Sequence, residues 1–264
     1  MTTLRVAAAQ LTSGPDPATN LATATEAVRR AAGAGAELVA LPEATLASFG
    51  SDLRTVAEPL DGPFATGLRK LAAELGVVVI AGLFEPAPDG RVHNTLLATG
   101  PGIDASYRKI HLYDAFGSRE SDLVAPGKEL VTITVQGVTV GLATCYDLRF
   151  ADQFTALGRA GAELIVVPAS WGAGPGKEEQ WDLLTRARAS DAQAWLLACD
   201  QAWTPPVGTD PLGIGRSVLA DPLGRIRTRL GSDPDLLVAD LDTTLSQTTR
   251  QRVPILDGYR TPRS

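Results

Sequence analysis

The sequence predicts an α/β fold made of two similar strand–helix halves. Apolar runs of strand length alternate with segments whose apolar residues recur at helical spacing, which is typical of this class. A repeat supports the division, because residues 160–169 (AGAELIVVPA) are identical or similar to residues 34–43 (AGAELVALPE) in eight of ten positions. No linker-like stretch separates the halves, so we expect residues 1–264 to form a single domain.

The first half begins with a strand and a helix. Residues 4–11 are mostly apolar, and Asp16 followed by Pro17 predicts the start of a helix that ends near Gly33. The later elements of this half are a strand at 37–41 that ends at Pro42-Glu43, a helix opened by Pro63, and strands at 77–83, 91–98 and 104–112.

The second half follows a long polar loop at residues 113–128, and loops of this length are often functional. A hairpin with strands at 130–135 and 138–144 leads to Cys145, and a helical pattern begins after it. The remaining elements are a helix through Trp181, Leu184 and Arg188, a strand at 194–199, a hairpin at 216–230 and a strand at 235–241. The tail, residues 243–264, lacks a clear apolar stripe, and we expect it to contact a partner subunit.

Composition argues against several classes of function. The net charge is −6 without a basic run, so we expect no nucleic-acid partner. The apolar residues near the start are too few for a signal peptide or a membrane span, which favours a cytoplasmic protein with no membrane partner. Cys145 and Cys199 form no CxxC pattern, so we expect free thiols. With two histidines and no HExxH pattern, we expect no metal.

Cys145 is the first candidate for chemistry. It follows a buried strand and precedes a helical pattern, so backbone N–H groups of a strand-to-helix corner can face its thiol. A helix N-terminus favours the thiolate, which predicts a pKa below the usual value of about 8.5. The alternative is that Cys145 is a small buried hydrophobic residue.

Glu43 and Lys109 are the next candidates. Hydrolysis of an amide by a thiol needs a nucleophile, a group that moves its proton, and a cation or donors for the carbonyl oxygen. Cys145, Glu43 and Lys109 supply these groups, and each lies at or near the end of a predicted strand, where crevices of α/β proteins form. The alternatives are a cap or surface ion pair for Glu43 and a strand residue reaching solvent for Lys109.

Together these segments resemble the nitrilase superfamily of carbon–nitrogen hydrolases, in its amidase branch. The resemblance is carried by LPEATL around Glu43, YRKIHLYD around Lys109 and GLATCYDLRF around Cys145, and extends to HNTLLA, RESDLVAPG and RARASDAQAW. It implies a four-layer αββα sandwich, no cofactor, and a homodimer paired through helices near the nucleophile. It also implies that Glu43 is the general base, Lys109 the oxyanion-stabilising cation, Cys145 the nucleophile and Glu120 a second, substrate-positioning glutamate.

Two further segments, HLYDAFGSRES and PASWGAGPGKEEQW, are most similar to the deaminated glutathione amidases, with the omega-amidases next. The expected substrate is therefore a small amide that carries a carboxylate. Arg149, Tyr146 and Trp171 are the predicted substrate-binding residues: Arg149 would bind the carboxylate, unless it pairs with Asp147 or Asp152, and a backbone N–H near Tyr146 would face the oxyanion. The chain departs from these amidases at Ala151-Asp152, where Pro-Glu or Ala-Glu is usual.

Three alternatives remain from the sequence. The substrate could be a nitrile, Cys145 could pair with His111 on the strand that carries Lys109, or the protein could be a catalytically silent scaffold of the same fold.

Overall fold

The computed structural model describes residues 3–205 and 213–258 and forms two six-stranded sheets within those ranges. In chain order the strands are β1 (Thr3–Gln10), β2 (Leu38–Ala40), β3 (Val78–Pro86), β4 (Val92–Gly100), β5 (Ile103–Arg108), β6 (Val131–Val135), β7 (Val138–Leu142), β8 (Leu164–Ala169), β9 (Trp195–Asp200), β10 (Val218–Ala220), β11 (Ile226–Arg229) and β12 (Asp235–Asp242). The first sheet has the order β12-β1-β2-β3-β4-β5 and the second β11-β10-β9-β8-β7-β6.

The helices cover the outer faces of the sheets. They are α1 (Pro17–Gly33), α2 (Leu53–Val56), α3 (Pro63–Leu75), α4 (Ala151–Arg159), α5 (Lys177–Ala192), α6 (Thr244–Arg252) and α7 (Ile255–Gly258), with 3₁₀ turns at Glu120–Asp122 and Cys145–Arg149. Apolar residues of α1 and α3 pack on the first sheet, and those of α4 and α5 on the second. Between the sheets lies a third core that both sheets supply, including Leu38, Ile80, Val140 and Val166. The result is the αββα sandwich.

The two halves have matching topology. Strands β1, β2 and β3 are parallel neighbours, as are β7, β8 and β9. Each parallel set is flanked by antiparallel strands, β12 and β4 in one sheet and β6 and β10 in the other. The repeat in the sequence therefore corresponds to a repeat in the structure, with β2 and β8 in equivalent places.

Most local signals are confirmed. Asp16 caps α1 by accepting the N–H of Thr19, and Pro17 is the first helical residue. Gly76 ends α3 with φ of 69°, which glycine adopts without strain.

Two of the boundaries that differ from the sequence prediction change the element in which a predicted site residue lies. Strand β5 ends at Arg108, so Lys109 lies just beyond it. The N–H of Ile110 donates to the Tyr107 hydroxyl, and the N–H of His111 donates to Asp147. The chain after Cys145 is a 3₁₀ turn, and α4 begins only at residue 151. Arg149 is therefore in this turn and not in the first turn of the helix.

The tail packs on its own chain as far as residue 258. Ser246 is buried and donates to the Glu163 carbonyl, and Arg250 donates to the carbonyls of Ala162 and Ala192 at the ends of α4 and α5. Residues 259–264 of the predicted tail lie outside the described ranges. Contact of this tail with a partner subunit stays a prediction.

No helix within residues 3–205 and 213–258 is long and apolar enough to cross a membrane.

Candidate active site

Strand direction brings the predicted site residues to one edge of the sandwich. Strand β5 is antiparallel to β4, which is antiparallel to β3, so β5 runs in the same direction as β2. Glu43 follows β2 and Lys109 follows β5, and both lie at the carboxyl edge of the first sheet. Cys145 follows β7 at the carboxyl edge of the second sheet. This is the edge where α/β proteins form their crevices.

Glu43 is fully buried, and its carboxylate accepts hydrogen bonds from both halves of the chain. Its Oε1 accepts from Asn94 Nδ2 at 2.7 Å and Lys109 Nζ at 3.0 Å, and its Oε2 accepts from the N–H of Ser170 at 2.9 Å. Ser170 follows β8, so this carboxylate links the two sheets. In the repeat the equivalent position is Ala169, which has no carboxylate.

Lys109 lies between two carboxylates. Its Nζ is 3.0 Å from Glu43 Oε1 and 2.9 Å from Glu120 Oε2, and its side chain is 2% exposed. Burial opposes the charge, but the carboxylates of Glu120 and then Glu43 outweigh it and hold the pKa of Lys109 well above its ordinary value. Lys109 is therefore a fixed cation at neutral pH.

Asn94 and Tyr113 orient Glu43 and Glu120. Asn94 Nδ2 donates to both glutamates, at 2.7 Å to Glu43 and 3.2 Å to Glu120, and the N–H of Tyr113 donates to Glu120 at 2.6 Å. Asn94 is buried, and its Oδ1 has no hydrogen-bond partner in the described ranges. Asn94 was not singled out in the sequence, although the HNTLLA segment contains it.

Cys145 is buried, and its backbone is in the left-handed region with φ of 43°. Burial, and then the charge of Glu43, raise the pKa of its thiol well above the ordinary value, while Lys109 acts in the opposite direction. The lowered pKa expected from the strand-to-helix corner is therefore wrong. Desolvation of the buried thiol is the dominant effect, and the segment after Cys145 is a short 3₁₀ turn.

Asp147 anchors this turn to the segment after β5. It is buried and accepts the N–H of Thr144 at 2.8 Å, the Tyr107 hydroxyl at 2.5 Å, and the N–H of His111 at 3.0 Å. The His111 ring nitrogen Nδ1 also lies 3.0 Å from Asp147. Asp147 was predicted only as a possible partner of Arg149, and its link between the Lys109 and Cys145 segments was not predicted.

His111 is directed to Asp147, and its ring stacks on Phe150 with centroids 3.6 Å apart. No hydrogen bond joins His111 to Cys145 in the described part of the chain. Asp147 holds the His111 ring, whereas the charges of Glu43 and Lys109 act on the pKa of the Cys145 thiol. These interactions favour the Glu43 and Lys109 arrangement over a Cys145–His111 pair.

The three predicted substrate-binding residues lie together. The Arg149 guanidinium is 5.0 Å from the Trp171 ring centroid and 5.6 Å from that of Tyr146. Arg149 donates to the amide oxygen of Gln180 at 2.7 Å. The Asp147 carboxylate, one predicted alternative partner, is occupied by the groups named above.

Asp200, at the end of β9, was not singled out in the sequence. It is buried and accepts the N–H of Trp171 at 2.7 Å and that of Ile214 at 2.9 Å. Burial raises the pKa of Asp200 well above its ordinary value. Its role in the fold is to fix the backbone after β8, which carries both Ser170 and Trp171.

Cys199 lies in the core between the sheets and donates to the Ala40 carbonyl. Burial raises the pKa of its thiol. In the described ranges both cysteines are free, and no group of three or more His, Cys, Asp or Glu is placed to bind a metal.

Comparisons with known proteins extend over nearly the whole chain. A protein named as a hydrolase from Mycobacterium tuberculosis is 51% identical over 264 residues, which covers 96% of this chain and 94% of that protein. Deaminated glutathione amidase from Escherichia coli O157:H7 is 36% identical over 228 residues, 84% of each chain. Omega-amidase NIT2 from Mus musculus is 31% identical over 268 residues, 98% of this chain and 96% of its own.

A solved structure has a similar fold. The crystal structure of Saccharomyces cerevisiae Nit3, a member of branch 10 of the nitrilase superfamily, matches with a TM-score of 0.85 and 27% identity, over 96% of this chain and 95% of that one. The family model described as carbon-nitrogen hydrolase matches residues 5–251. The family match and the similar fold show that the chain belongs to the carbon–nitrogen hydrolase family of the nitrilase superfamily.

Proposed function

We propose that the protein is an amidase that hydrolyses a small, carboxylate-bearing amide through a thioester on Cys145. The observation that supports this most is the meeting of Glu43, Lys109 and the Cys145 segment at one edge, although they come from different parts of the chain. A nucleophile, a proton-transfer group and a fixed cation are the groups that this reaction needs.

In the proposed mechanism, Cys145 Sγ forms a bond to the amide carbon as Glu43 takes the thiol proton. Lys109, with a backbone N–H near Tyr146, stabilises the negative carbonyl oxygen. The carbon–nitrogen bond then breaks, Glu43 returns the proton to the nitrogen, and ammonia departs. The acyl group remains on Cys145 Sγ as a thioester. Glu43 next takes a proton from water as the hydroxide attacks the thioester. The acid is released as the proton passes back to Sγ.

The raised pKa of Cys145 agrees with this order of events. The free protein holds a protonated thiol beside a carboxylate, so the proton is transferred when the substrate arrives and not before. Glu120 contributes by holding the Lys109 ammonium in place.

Deaminated glutathione is the substrate we propose, because a relative with that activity in its name is 36% identical to this chain and Arg149 offers a cation near the site. A 2-oxoglutaramate-type substrate is the second candidate, since a relative named omega-amidase is 31% identical over nearly the whole chain. We also propose that the protein is a homodimer, paired through helices near Cys145.

Ammonia release from purified protein tests the reaction. Deaminated glutathione, 2-oxoglutaramate, simple amides and a nitrile are compared, with Cys145→Ala as the inactive control. Mass spectrometry of protein quenched during turnover should find an acyl adduct on the Cys145 peptide. An adduct on Cys199, or activity that survives in Cys145→Ala, contradicts the mechanism, and a protein inert to every substrate would favour the scaffold alternative.

A further inference from the structure

Lys177, the first residue of α5, joins Arg149 beside the candidate active site. Its Nζ donates to the Tyr113 hydroxyl at 3.2 Å and lies 3.9 Å from the Phe116 ring centroid and 6.0 Å from that of Trp171. Arg149 lies over the same Trp171 ring. Two cations thus share one aromatic surface.

The two cations act on each other, and Lys177 also interacts with the nucleophile. Burial and then the charge of Arg149 lower the pKa of Lys177, and Cys145 acts to raise it. Arg149 and Lys177 are therefore close enough to repel each other, and Lys177 is close enough to Cys145 to respond to its charge. Repulsion of this kind is relieved when an anion binds between the two charges.

No acidic side chain in residues 3–205 and 213–258 forms an ion pair with either cation. In those ranges Arg149 donates a side-chain hydrogen bond to the neutral Gln180, and its buried Nε has no hydrogen-bond partner. By contrast, Arg216 pairs with Glu178 and Asp182, and Arg188 pairs with Asp191. A structural ion-pair role explains Arg188 and Arg216 but not Arg149 and Lys177.

We propose that Arg149 and Lys177 together bind the carboxylate at the far end of the substrate, while the rings of Tyr146 and Trp171 cover the chain between that carboxylate and the amide. This rests on the proposed function, which places the amide carbon at Cys145. A guanidinium and an ammonium bind a carboxylate through charge-assisted hydrogen bonds.

A matched pair of substrates tests the site. Glutaramic acid and pentanamide have the same chain length and differ in the terminal carboxylate. We expect Lys177→Met and Arg149→Leu each to lower the ratio of kcat/KM for glutaramic acid to that for pentanamide at least about tenfold, mainly through the KM of the acid. Lys177→Arg should retain most of the ratio, and Lys70→Met, which removes an exposed lysine from α3, should leave it unchanged.

Binding measured without turnover separates this proposal from the proposed function. In a Cys145→Ala background, glutarate should bind, and addition of Lys177→Met should weaken it at least about tenfold by titration calorimetry. If the wild-type protein releases ammonia but the ratio and the glutarate affinity do not depend on Lys177, the carboxylate site is wrong and the amidase stands. If no amide is hydrolysed but glutarate binding depends on both cations, the site stands and the amidase is wrong.

Discussion

At the scale of single residues, the protonation of Cys145 depends on opposed neighbours. Burial and Glu43 raise the pKa of its thiol, and Lys109 lowers it. Replacing Glu43 with Gln removes a negative charge that disfavours the thiolate, so the pKa should fall. Replacing Lys109 with Met removes the stabilising cation, so the pKa should rise further.

Ultraviolet absorbance of the thiolate, titrated against pH in a Cys199→Ala background, measures these shifts. We expect the order Glu43→Gln, parent, Lys109→Met for increasing pKa, with differences of about one unit or more. Glu74→Gln, which removes an exposed carboxylate on α3, should leave the titration unchanged. A pKa that rises in Glu43→Gln would mean that this carboxylate holds the thiolate and does not disfavour it.

The sequence could predict which residue types meet, but not their surroundings. Glu43, Lys109 and Glu120 were singled out, and the structure places them in contact. Asn94 and Asp147 were not, because a polar residue in a motif does not show by itself which way its side chain points. The direction of the Cys145 pKa shift was predicted wrongly for a related reason, because desolvation depends on the packing of distant segments.

At the scale of elements, the position of Glu43 depends on how closely β3 passes the chain after β2. A Cβ added at Gly82 on β3 would lie 2.6 Å from the Ala44 nitrogen and 2.7 Å from the Glu43 Cα. Both atoms are backbone, so no side-chain rotation relieves the clash. Gly82→Ala should therefore displace the segment that carries Glu43.

We expect Gly82→Ala to lower the stability by about 1 to 3 kcal/mol, as overpacking does, and kcat at least about tenfold because Glu43 moves. Thermal unfolding and steady-state kinetics measure the two effects. Gly33→Ala is the matched control, since nothing lies within 4 Å of its added Cβ at the end of α1. Wild-type kcat in Gly82→Ala would show that the edge tolerates a displaced Glu43 segment.

The boundaries of elements were harder to predict than their existence. The helix from Pro17 and the hairpin before Cys145 follow from caps, turns and alternation within the segment itself. The end of β5 at Arg108 instead depends on Asp147, which lies far away in the chain and accepts the N–H of His111. A local pattern carries no information about that partner.

At the scale of the whole molecule, the repeat at residues 34–43 and 160–169 predicted two similar halves, and the sheets have equivalent topology. The sequence pattern did not predict that the two sheets pack face to face. Runs such as Leu38–Ala40 and Leu164–Ala169 are buried on both faces, so they do not show whether a helix or a second sheet covers each side. The αββα arrangement was predicted from the resemblance and not from the pattern.

The predicted homodimer leads to a test at this scale. Leu183 on α5 is 65% exposed, and a subunit paired through this helix would cover it. A charge at that position would then be buried without a partner, which disfavours association. Leu183→Asp should therefore weaken the dimer at least about tenfold.

Light scattering coupled to size-exclusion chromatography over a dilution series gives the dissociation constant of each variant. Leu130→Asp is the control, because Leu130 is 42% exposed and directly precedes β6, the outermost strand of the second sheet. A dimer that is equally stable in Leu183→Asp and wild type would mean that the subunits pair through another face. A dimer weakened only by Leu130→Asp would place the interface beside β6, so each outcome assigns or excludes a defined surface.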